Sequence, residues 1–423
     1  MTPAARPSLE RANLWHRASA AAGLIDAQGR VGGTVYAAMT ELAARTGAVN
    51  LGQGAPGTDP DPRLVEAAAR AMRAGANQYS PAQGHPDLIA AVAQYRSSPA
   101  VPVAPEEVLI TVGATEAITA SVLALVPAGG AVIAFEPFYD SYAAAAALAG
   151  AELLTVPLLP TAERGFAPDW AALDAALSSP RAAVGAALIV NDPHNPTGTV
   201  FSTAELLRLH AAAQAADAWL ITDEVYEFLT FDGRPHERLA QLVPDSQRIV
   251  SISSAGKTFN VTGWKIGWLT APAPVRLAIQ AVKQYLTFVG GAPFQPAIAQ
   301  ALADPSLAAA NRDSLARRRE ALTAPLREIP GLTVAEAQAG YFVLADFSAL
   351  TDLDAVALNE RLAVDCGIVG IPVAALCRPG SPAAQAYRGT LRYSFCKAPE
   401  DVAEAARRLS GLGAGLAAGL NSA

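Results

Sequence analysis

The feature that most constrains this chain is a regular alternation between short apolar runs and longer helical patterns, which starts at Val108. Each run has about five residues, the usual length of a buried strand, and most intervening stretches are rich in Ala and Leu. Strands that alternate with helices predict a mostly parallel sheet with helices on both faces. The seven runs are VLITV (108–112), AVIAF (131–135), ELLTV (152–156), AALIV (186–190), AWLIT (218–222), RIVSI (248–252) and IGWLT (266–270).

The last third of the chain has a different pattern, and 423 residues exceed what one hydrophobic core usually organises. Strand-like GYFVLADF (340–347) and LRYSF (391–395) accompany an apparently exposed helix at 311–329 and a final helix at 401–412. The sequence therefore predicts two domains. Residues 61–305 would form the large domain and residues 306–423 a small α+β domain, while residues 1–60 would form an N-terminal arm and part of the small domain.

Composition argues against several classes of protein. Hydrophobic residues make up 52% and charged residues 16%, which is typical of a globular chain rather than a disordered one. The net charge is −7 with no Lys/Arg-rich run, so we expect no nucleic-acid partner. The apolar stretch 118–138 approaches the length of a membrane span, but Pro127, Gly129 and Gly130 interrupt it, and it predicts a helix, a turn and a buried strand.

The N-terminal sequence and the cysteines indicate a cytoplasmic protein. Residues 1–30 are rich in Ala and Arg, have no apolar signal segment, and predict a loosely packed lead-in. The chain has three cysteines, whose spacing matches no metal motif and whose odd number suits no disulfide framework. We therefore expect neither a bound metal nor association with a membrane. The capping box Ser202-Thr203-Ala204-Glu205 marks one helix start.

Lysine is scarce, since only four of the 31 basic residues are lysines. Two of them, Lys257 and Lys265, lie eight residues apart in SSAGKTFNVTGWKIGW, directly after a predicted strand. A lysine amine can form an imine with a carbonyl cofactor, and the small residues before Lys257 would let a cofactor approach. Gly256-Lys257-Thr258 also resembles the end of a P-loop, but the glycine that a P-loop needs five residues earlier is Ser251.

Two more clusters follow predicted strands, at the sheet edge where open α/β folds bind ligands. Asp223 and Tyr226 follow AWLIT; a carboxylate there can keep a pyridine nitrogen protonated, and a tyrosine hydroxyl can bond a ring oxygen. The same residues also suit an ordinary strand-to-loop junction. Asn195 lies in the turn NDPHNPTG (191–198), which either aims its amide at that ring oxygen or bonds its own backbone.

The last cluster is TVGATEAI (111–118), in which a strand runs through Gly113 into a helix. The free N–H groups at a helix start can bind a phosphate. Many helices begin after a glycine, so this signal alone is weak. Ser254 and Lys265 could supply further donors to the same phosphate.

Taken together, the motifs make the chain resemble the class I and II aminotransferases of pyridoxal-phosphate (PLP) fold type I, from about Tyr36 to the last helix. The motifs, in the family's order, include NLGQGAP, NQYSPAQGHPDL, EPFYDSY, NDPHNPTG, ITDEVYE, SSAGKTFNVTGWKIGW and LRYSFCK. The resemblance implies an α/β fold in which a large domain carries a mostly parallel seven-stranded sheet between helices, beside a smaller α+β domain. It also implies PLP as cofactor, an amino-acid donor, a 2-oxo-acid acceptor, and a homodimer with the active site at the subunit interface.

The resemblance implies a role for each matching residue. Lys257 would be the catalytic residue that holds PLP as a Schiff base and moves the proton at the substrate Cα. Asp223 would pair with the pyridinium nitrogen, Asn195 and Tyr226 would hold the phenolic oxygen, and Tyr139 would stack on the ring. The phosphate would be bound by Gly113, Ala114, Thr115, Ser254, Lys265 and Tyr79 of the neighbouring subunit. The substrate would be bound by Arg392, which suits a carboxylate clamp, with Gly54, Tyr36 and Asn195.

Two features indicate which branch of the family the chain resembles. Many relatives carry Arg where this chain has Lys265, whereas the kynurenine/glutamine group uses Lys. The run AVKQYLTFVGGAPFQPA (281–297) looks more like the actinobacterial succinyldiaminopimelate aminotransferases, and Gly290 and Gly291 would leave room for a long substrate. The resemblance thus implies an N-succinyl-LL-2,6-diaminopimelate:2-oxoglutarate aminotransferase of lysine biosynthesis.

Three alternatives remain at the level of sequence. One is an aminotransferase of the kynurenine, glutamine or methionine type, and another is a carbon–sulfur β-lyase on the same scaffold. The third is a regulator that binds PLP as a sensor beside a DNA-binding segment. Only about 35 residues precede the family match, and they carry no basic patch, which argues against the regulator.

Overall fold

A computed structural model of the protein describes residues 13–26, 29–161 and 165–411. The predicted lead-in at 1–30 therefore lies partly outside the described residues. The strands are β1 (Val49–Asn50), β2 (Val108–Val112), β3 (Ala131–Glu136), β4 (Glu152–Thr161), β5 (Gly165–Pro168), β6 (Ala186–Asn191), β7 (Trp219–Asp223), β8 (Ile249–Ser254), β9 (Ile266–Thr270), β10 (Thr333–Val334), β11 (Phe342–Asp346), β12 (Ile368–Val369), β13 (Ile371–Pro372) and β14 (Thr390–Ser394).

Helices fill most of the intervals between these strands. In chain order they are α1 (Leu14–Ala21), α2 (Val35–Thr46), α3 (Pro62–Arg73), α4 (Pro86–Arg96), α5 (Gly113–Leu125), α6 (Ser141–Ala149), α7 (Trp170–Leu177), α8 (Thr203–Ala215), α9 (Leu239–Leu242), α10 (Ala255–Thr258), α11 (Ala273–Lys283), α12 (Phe294–Leu302), α13 (Pro305–Arg327), α14 (Ala355–Asp365), α15 (Pro382–Ala386) and α16 (Pro399–Ser410).

The large sheet contains all seven predicted strands, in the order β2-β9-β8-β7-β6-β3-β4-β5. Strands β8, β7, β6, β3 and β4 pair in parallel, whereas β9 is antiparallel to both of its neighbours. Every residue of β3, β6, β8 and β9 is buried, because helices cover both faces. The mostly parallel sheet between helices is thus confirmed.

The eighth strand, β5, was not predicted. It pairs antiparallel with the far half of β4, which continues to Thr161 instead of ending near residue 156. Its sequence GFAP is too short and contains too much Gly and Pro to give a strand pattern. Strand β5 lies at the edge of the sheet, where a strand needs only one pairing partner.

Several other predictions are confirmed by the elements themselves. The stretch 118–138 forms the end of α5, a turn and β3, and no helix among the described residues combines the length and apolarity needed to cross a membrane. The capping box is present: Ser202 Oγ accepts from the backbone N–H of Glu205, and the Glu205 carboxylate accepts from that of Ser202.

A smaller antiparallel sheet, β10-β11-β14-β13, lies in the last third of the chain. The N-terminal strand β1 pairs in parallel with β12, so residues before the large sheet pack with residues after it. This pairing accords with the predicted small domain, whose boundaries at residues 60 and 305 stay predictions. The helix expected at 311–329 begins earlier, at Pro305, and the expectation that it is exposed was wrong for one face, because Leu315, Leu322 and Leu326 are buried in the core.

Candidate active site

A cavity of about 190 Å³ lies where β6, β7 and β8 end and α5 begins. This is the carboxyl edge of the parallel strands, where open α/β sheets bind ligands. Ten of the residues predicted for the cofactor site line this cavity. They are Gly113, Ala114, Thr115, Tyr139, Asn195, Asp223, Tyr226, Ser254, Lys257 and Lys265.

Asp223 is the last residue of β7, and its carboxylate is buried at the wall of the cavity. Tyr142 donates its hydroxyl hydrogen to Asp223 Oδ2 at 2.5 Å, whereas Asp223 Oδ1 is buried without a hydrogen-bond partner. Burial raises the pKa of the Asp223 carboxyl to about 6, although the bond from Tyr142 opposes that rise. An unpartnered buried carboxylate oxygen is a site for a cationic N–H donor.

Lys257 lies on α10, the short helix that follows β8. Its Nζ atom is 5.5 Å from the centre of the Tyr341 ring. Burial lowers the pKa of the Lys257 amine, and the nearby guanidinium of Arg392 lowers it further. A larger fraction of the amine is therefore neutral, the form that attacks carbonyls and accepts protons.

The end of the cavity at α5 is built to receive an anion. No side chain caps the first turn of α5, so its free N–H groups remain available. Gly113 has a φ of 72°, and a Cβ added there would lie 3.0 Å from Lys265 Nζ. A side chain at Gly113 would thus both strain the backbone and displace the ammonium group. Thr262, which sequence reasoning missed, also lines the cavity.

The turn NDPHNPTG holds Asn195 through its own side chains. Asn191 Oδ1 accepts the backbone N–H of Asn195 at 2.7 Å, and Asn191 Nδ2 donates to the Asp223 carbonyl at 2.9 Å. Asn195 Oδ1 accepts from Arg392, so its side chain does not bond its own backbone and its amide nitrogen remains a donor. His194 bonds Thr197 inside the turn and offers no metal site.

Arg392 lies on β14 of the small sheet and is 1% exposed. Its Nη1 donates to Asn195 Oδ1 at 3.0 Å and its Nη2 to the Gly52 carbonyl at 2.8 Å. The guanidinium lies 3.9 Å from the centre of the Phe342 ring and 5.7 Å from that of Tyr36. Each terminal nitrogen carries a second N–H, and Nε is buried without a hydrogen-bond partner, so Arg392 keeps three donors for a carboxylate.

The remaining predicted residues lie outside the cavity wall. The carbonyl of Gly54 accepts from the Tyr341 hydroxyl at 2.8 Å, and a Cβ at Gly54 would lie 2.6 Å from the Phe342 ring, so only glycine fits. Tyr79 is 83% exposed and its ring contacts Phe288. Its role toward a neighbouring subunit stays a prediction.

Two tyrosines of the site were not predicted. Tyr142 belongs to the quoted motif EPFYDSY, three residues after Tyr139, which was the only tyrosine of that motif given a role. Tyr341 packs edge-on against Tyr226 with ring centres 5.3 Å apart. Burial raises the pKa of the Tyr226 hydroxyl, so it stays protonated and can donate.

These groups fit PLP at each of its polar ends. The open Asp223 oxygen suits a protonated ring nitrogen, and the uncapped helix with Lys265 suits a phosphate. The amine of Lys257 lies in the same cavity as both, and Tyr139 lines it with an aromatic ring. The site can therefore hold a charged pyridine phosphate next to the neutral amine of Lys257.

Comparison with known proteins agrees with this geometry. A family model for aminotransferase class I and II matches residues 46–409. The chain is 47% identical to the probable N-succinyldiaminopimelate aminotransferase of Mycobacterium tuberculosis, over 89% of this chain and 95% of that protein. It is 37% identical to the methionine aminotransferase of Escherichia coli, over 90% of this chain and 96% of that one.

A solved structure leads to the same family. The three-dimensional structure of N-succinyldiaminopimelate aminotransferase from Mycobacterium tuberculosis superimposes with a TM-score of 0.82 at 47% identity. The match covers 90% of this chain and 97% of that chain. The match therefore spans nearly the whole length of both chains.

Proposed function

This chain belongs to the class I and II aminotransferases, and on that premise we propose that it transfers an amino group between N-succinyl-LL-2,6-diaminopimelate and 2-oxoglutarate. The enzyme is a PLP-dependent transaminase. The observation that carries the choice of substrate is the 47% identity, over 89% of the chain, to a probable N-succinyldiaminopimelate aminotransferase. The methionine aminotransferase, at 37%, supports the runner-up.

When bound, PLP supplies a carbonyl for the amino group and a ring that accepts the electrons released at the substrate Cα. Asp223 keeps the ring nitrogen protonated through its open oxygen, and Tyr142 orients that carboxylate. Tyr226 and Asn195 donate to the ring oxygen. The uncapped start of α5, Ser254 and Lys265 hold the phosphate.

Lys257 moves the proton at the substrate Cα. Its lowered pKa favours the neutral amine, which would accept that proton. Arg392 binds the substrate α-carboxylate with two of its three remaining N–H donors, and the bond to Asn195 helps to fix the guanidinium. Tyr36 and the backbone of Gly54 complete the carboxylate site.

The enzyme acts as a homodimer whose active sites are shared between subunits. Tyr79 and Tyr285 are 83% and 85% exposed, and Leu286 and Phe288 beside them are also exposed. So many large apolar side chains in one region favour a covered surface. Tyr79 then reaches the phosphate of the partner subunit.

The three cysteines are free and buried, which suits the reducing cytoplasm.

A single-turnover absorbance experiment tests the reaction. Holoenzyme is mixed with N-succinyl-LL-2,6-diaminopimelate without acceptor, and the visible absorbance of the bound cofactor is followed. We expect that absorbance to disappear and to return when 2-oxoglutarate is added. Lys257→Ala serves as control and should show no turnover. If the absorbance does not change with this donor but does change with methionine, the enzyme is a methionine aminotransferase instead.

Subunit complementation tests the shared site. Lys257→Ala subunits, which should be inactive alone, and Tyr79→Ala subunits, which should be weakly active alone, are mixed under conditions that exchange subunits. A mixed dimer has one site with both residues intact, so activity should reappear toward a quarter of the wild-type value at equal mixing. If mixing restores nothing although exchange is demonstrated, Tyr79 does not act across the interface.

A further inference from the structure

A cluster of ionisable side chains is buried behind the cavity, on the other side of the loops that follow β6 and β7. Each of these residues is almost fully buried except Arg238, which is 22% exposed. None of them was singled out from the sequence, and none lines the cofactor cavity. The buried ion cluster consists of Arg96, Asp192, Glu224, Glu227, His236 and Arg238.

His236 lies between the two loops. Its Nδ1 is 3.6 Å from Asp192 Oδ2, after β6, and its Nε2 is 3.6 Å from Glu224 Oε2, after β7. Both ring nitrogens and Asp192 Oδ2 are buried without any closer hydrogen-bond partner. The imidazole therefore faces one carboxylate with each nitrogen, an arrangement that suits the doubly protonated ring.

The charges of the buried ion cluster indicate the same state. Glu224 and Glu227 pair with the guanidiniums of Arg96 and Arg238, whereas Asp192 faces His236. When Asp192 is ionised, a neutral imidazole would leave one buried negative charge uncompensated, which is costly in a low-dielectric interior. A cationic His236 makes the cluster neutral.

A metal ion is not needed for that balance. Glu224, Glu227 and His236 are close enough together to suggest a metal site. However, Arg96 Nη1 lies 2.6 Å from Glu224 Oε2 and 3.0 Å from Glu227 Oε2. The guanidinium already occupies the position between these carboxylates, and a divalent cation there would be repelled.

We propose that cationic His236 is a positioning residue that ties the loop after β6 to the loop after β7 and thereby holds Asn195 and Asp223 in place at the PLP site. The two loops carry these residues within three positions of the tied carboxylates, Asp192 and Glu224. The Asp192 backbone N–H also donates to the Asp223 carbonyl at 3.0 Å. His236 itself touches neither cavity nor cofactor.

The contact of His236 with Asp192 and Glu224 weakens as pH rises. Burial lowers the pKa of His236, but its contacts with Glu224 and Asp192 raise it more, and the net change is upward. Burial also raises the pKa of Asp192 to about 7, while His236 opposes that rise. Both folded-state pKa values lie above their ordinary values, so each bound proton stabilises the fold at low pH. The contribution of Asp192 is lost as pH rises from about 4 through about 7, and that of His236 is lost as pH rises through its raised pKa.

The test compares His236→Gln with the wild type by PLP affinity, measured by equilibrium dialysis at pH 6.5 and pH 9. We expect about tenfold weaker PLP binding by the variant at pH 6.5, because the charged contacts with Asp192 and Glu224 are lost. At pH 9 the difference should be smaller, because the wild type loses its own proton as pH rises through the raised pKa of His236.

A matched control keeps the experiment decisive. His210→Gln, which changes a histidine of α8 outside the cluster, should match the wild type at both pH values. Equal PLP affinity of His236→Gln and wild type at pH 6.5, or an equal loss at both pH values, would overturn the proposal. Because PLP affinity is the readout, the result does not depend on which amino donor the enzyme uses.

Discussion

Asp223 and Glu224 are neighbours at the end of β7, yet their buried carboxylates have opposite surroundings. Asp223 faces the cavity with one oxygen bonded to Tyr142 and the other unpartnered. Glu224 faces away, where Oε2 meets Arg96 and Oε1 accepts from Thr222. Burial tends to raise the pKa of both; it does so for Asp223, but Arg96 overrides it for Glu224 and lowers that pKa.

The difference teaches that burial alone does not mark a functional carboxylate. A buried carboxylate whose bonds are all made by the protein stabilises the fold, and one with an open oxygen awaits a ligand. Substitutions on the two sides of β7 should therefore separate stability from activity. The expected effects below run from the largest to the smallest.

Arg96→Met should have the largest effect, and on stability. It leaves Glu224 and Glu227 buried without their shared guanidinium, which should lower the free energy of unfolding by about 3–5 kcal/mol. Urea unfolding of the holoenzyme measures this. The matched control is Arg63→Met, which removes an exposed ion pair with Asp61 and should cost about 1 kcal/mol or less. Similar losses for the two variants would contradict the buried-pair interpretation.

Asp223→Asn changes the carboxylate that faces the cavity, so it should lower activity. Loss of the charge that we propose to pair with the ring nitrogen should lower kcat by a factor of roughly 10²–10³, the range for removing one preorganised electrostatic contact. Steady-state kinetics with the preferred donor measure it. Retention of more than a tenth of kcat by a PLP-saturated variant would show that Asp223 is not the nitrogen partner.

In the apoprotein, the ionised Asp223 carboxylate should lower the free energy of unfolding. The pKa of Asp223 rises from 3.8 to about 6 on folding, so the ionised carboxylate destabilises the fold by about 3 kcal/mol at pH 8. The raised pKa means that stability is greatest when the group is protonated and falls as pH rises from about 4 through 6. Apo Asp223→Asn should therefore be more stable than apo wild type at pH 8, and the two should converge toward pH 4. Urea unfolding of both apoproteins across this range measures the difference, and a gap that does not change with pH would be the contrary result.

Tyr142→Phe should give the smallest effect. It removes one hydrogen bond to Asp223 Oδ2, worth about 1 kcal/mol, and should lower kcat/KM by about fivefold. Tyr387→Phe, which removes a buried bond to the Leu158 carbonyl far from the cavity wall, is the control. It should lower stability similarly and leave kcat/KM unchanged.

The sequence predicted the cavity side of β7 well because each residue there follows an apolar run. Asp223 and Lys257 come directly after strands, so the rule that ligands bind at the carboxyl edge locates them without any knowledge of packing. Lysine scarcity drew attention to Lys257 in addition. The family resemblance then supplied the roles, which spacing alone does not give.

The contacts that the sequence did not predict, on both sides of β7, join residues that are distant in sequence. Arg96 and Glu224 are separated by 128 positions, and Tyr142 and Asp223 by 81. Tyr142 lies in the alanine-rich helix SYAAAAALA, where an aromatic residue has the pattern of an ordinary core position. Contacts of this kind depend on tertiary packing, which periodicity does not report.

The start of α5 has a consequence for the protein before it binds PLP. A helix normally begins with an N-cap side chain that accepts from its first turn, and the N-cap residue of α5, Val112, supplies none; the Glu116 carboxylate accepts only from the backbone N–H of Val112. The apoenzyme therefore carries an unfinished helix, and an anion at Gly113 would act as its missing N-cap. Loading with PLP should slow amide hydrogen exchange in that first turn, so that part of the fold is completed by the cofactor rather than by the chain.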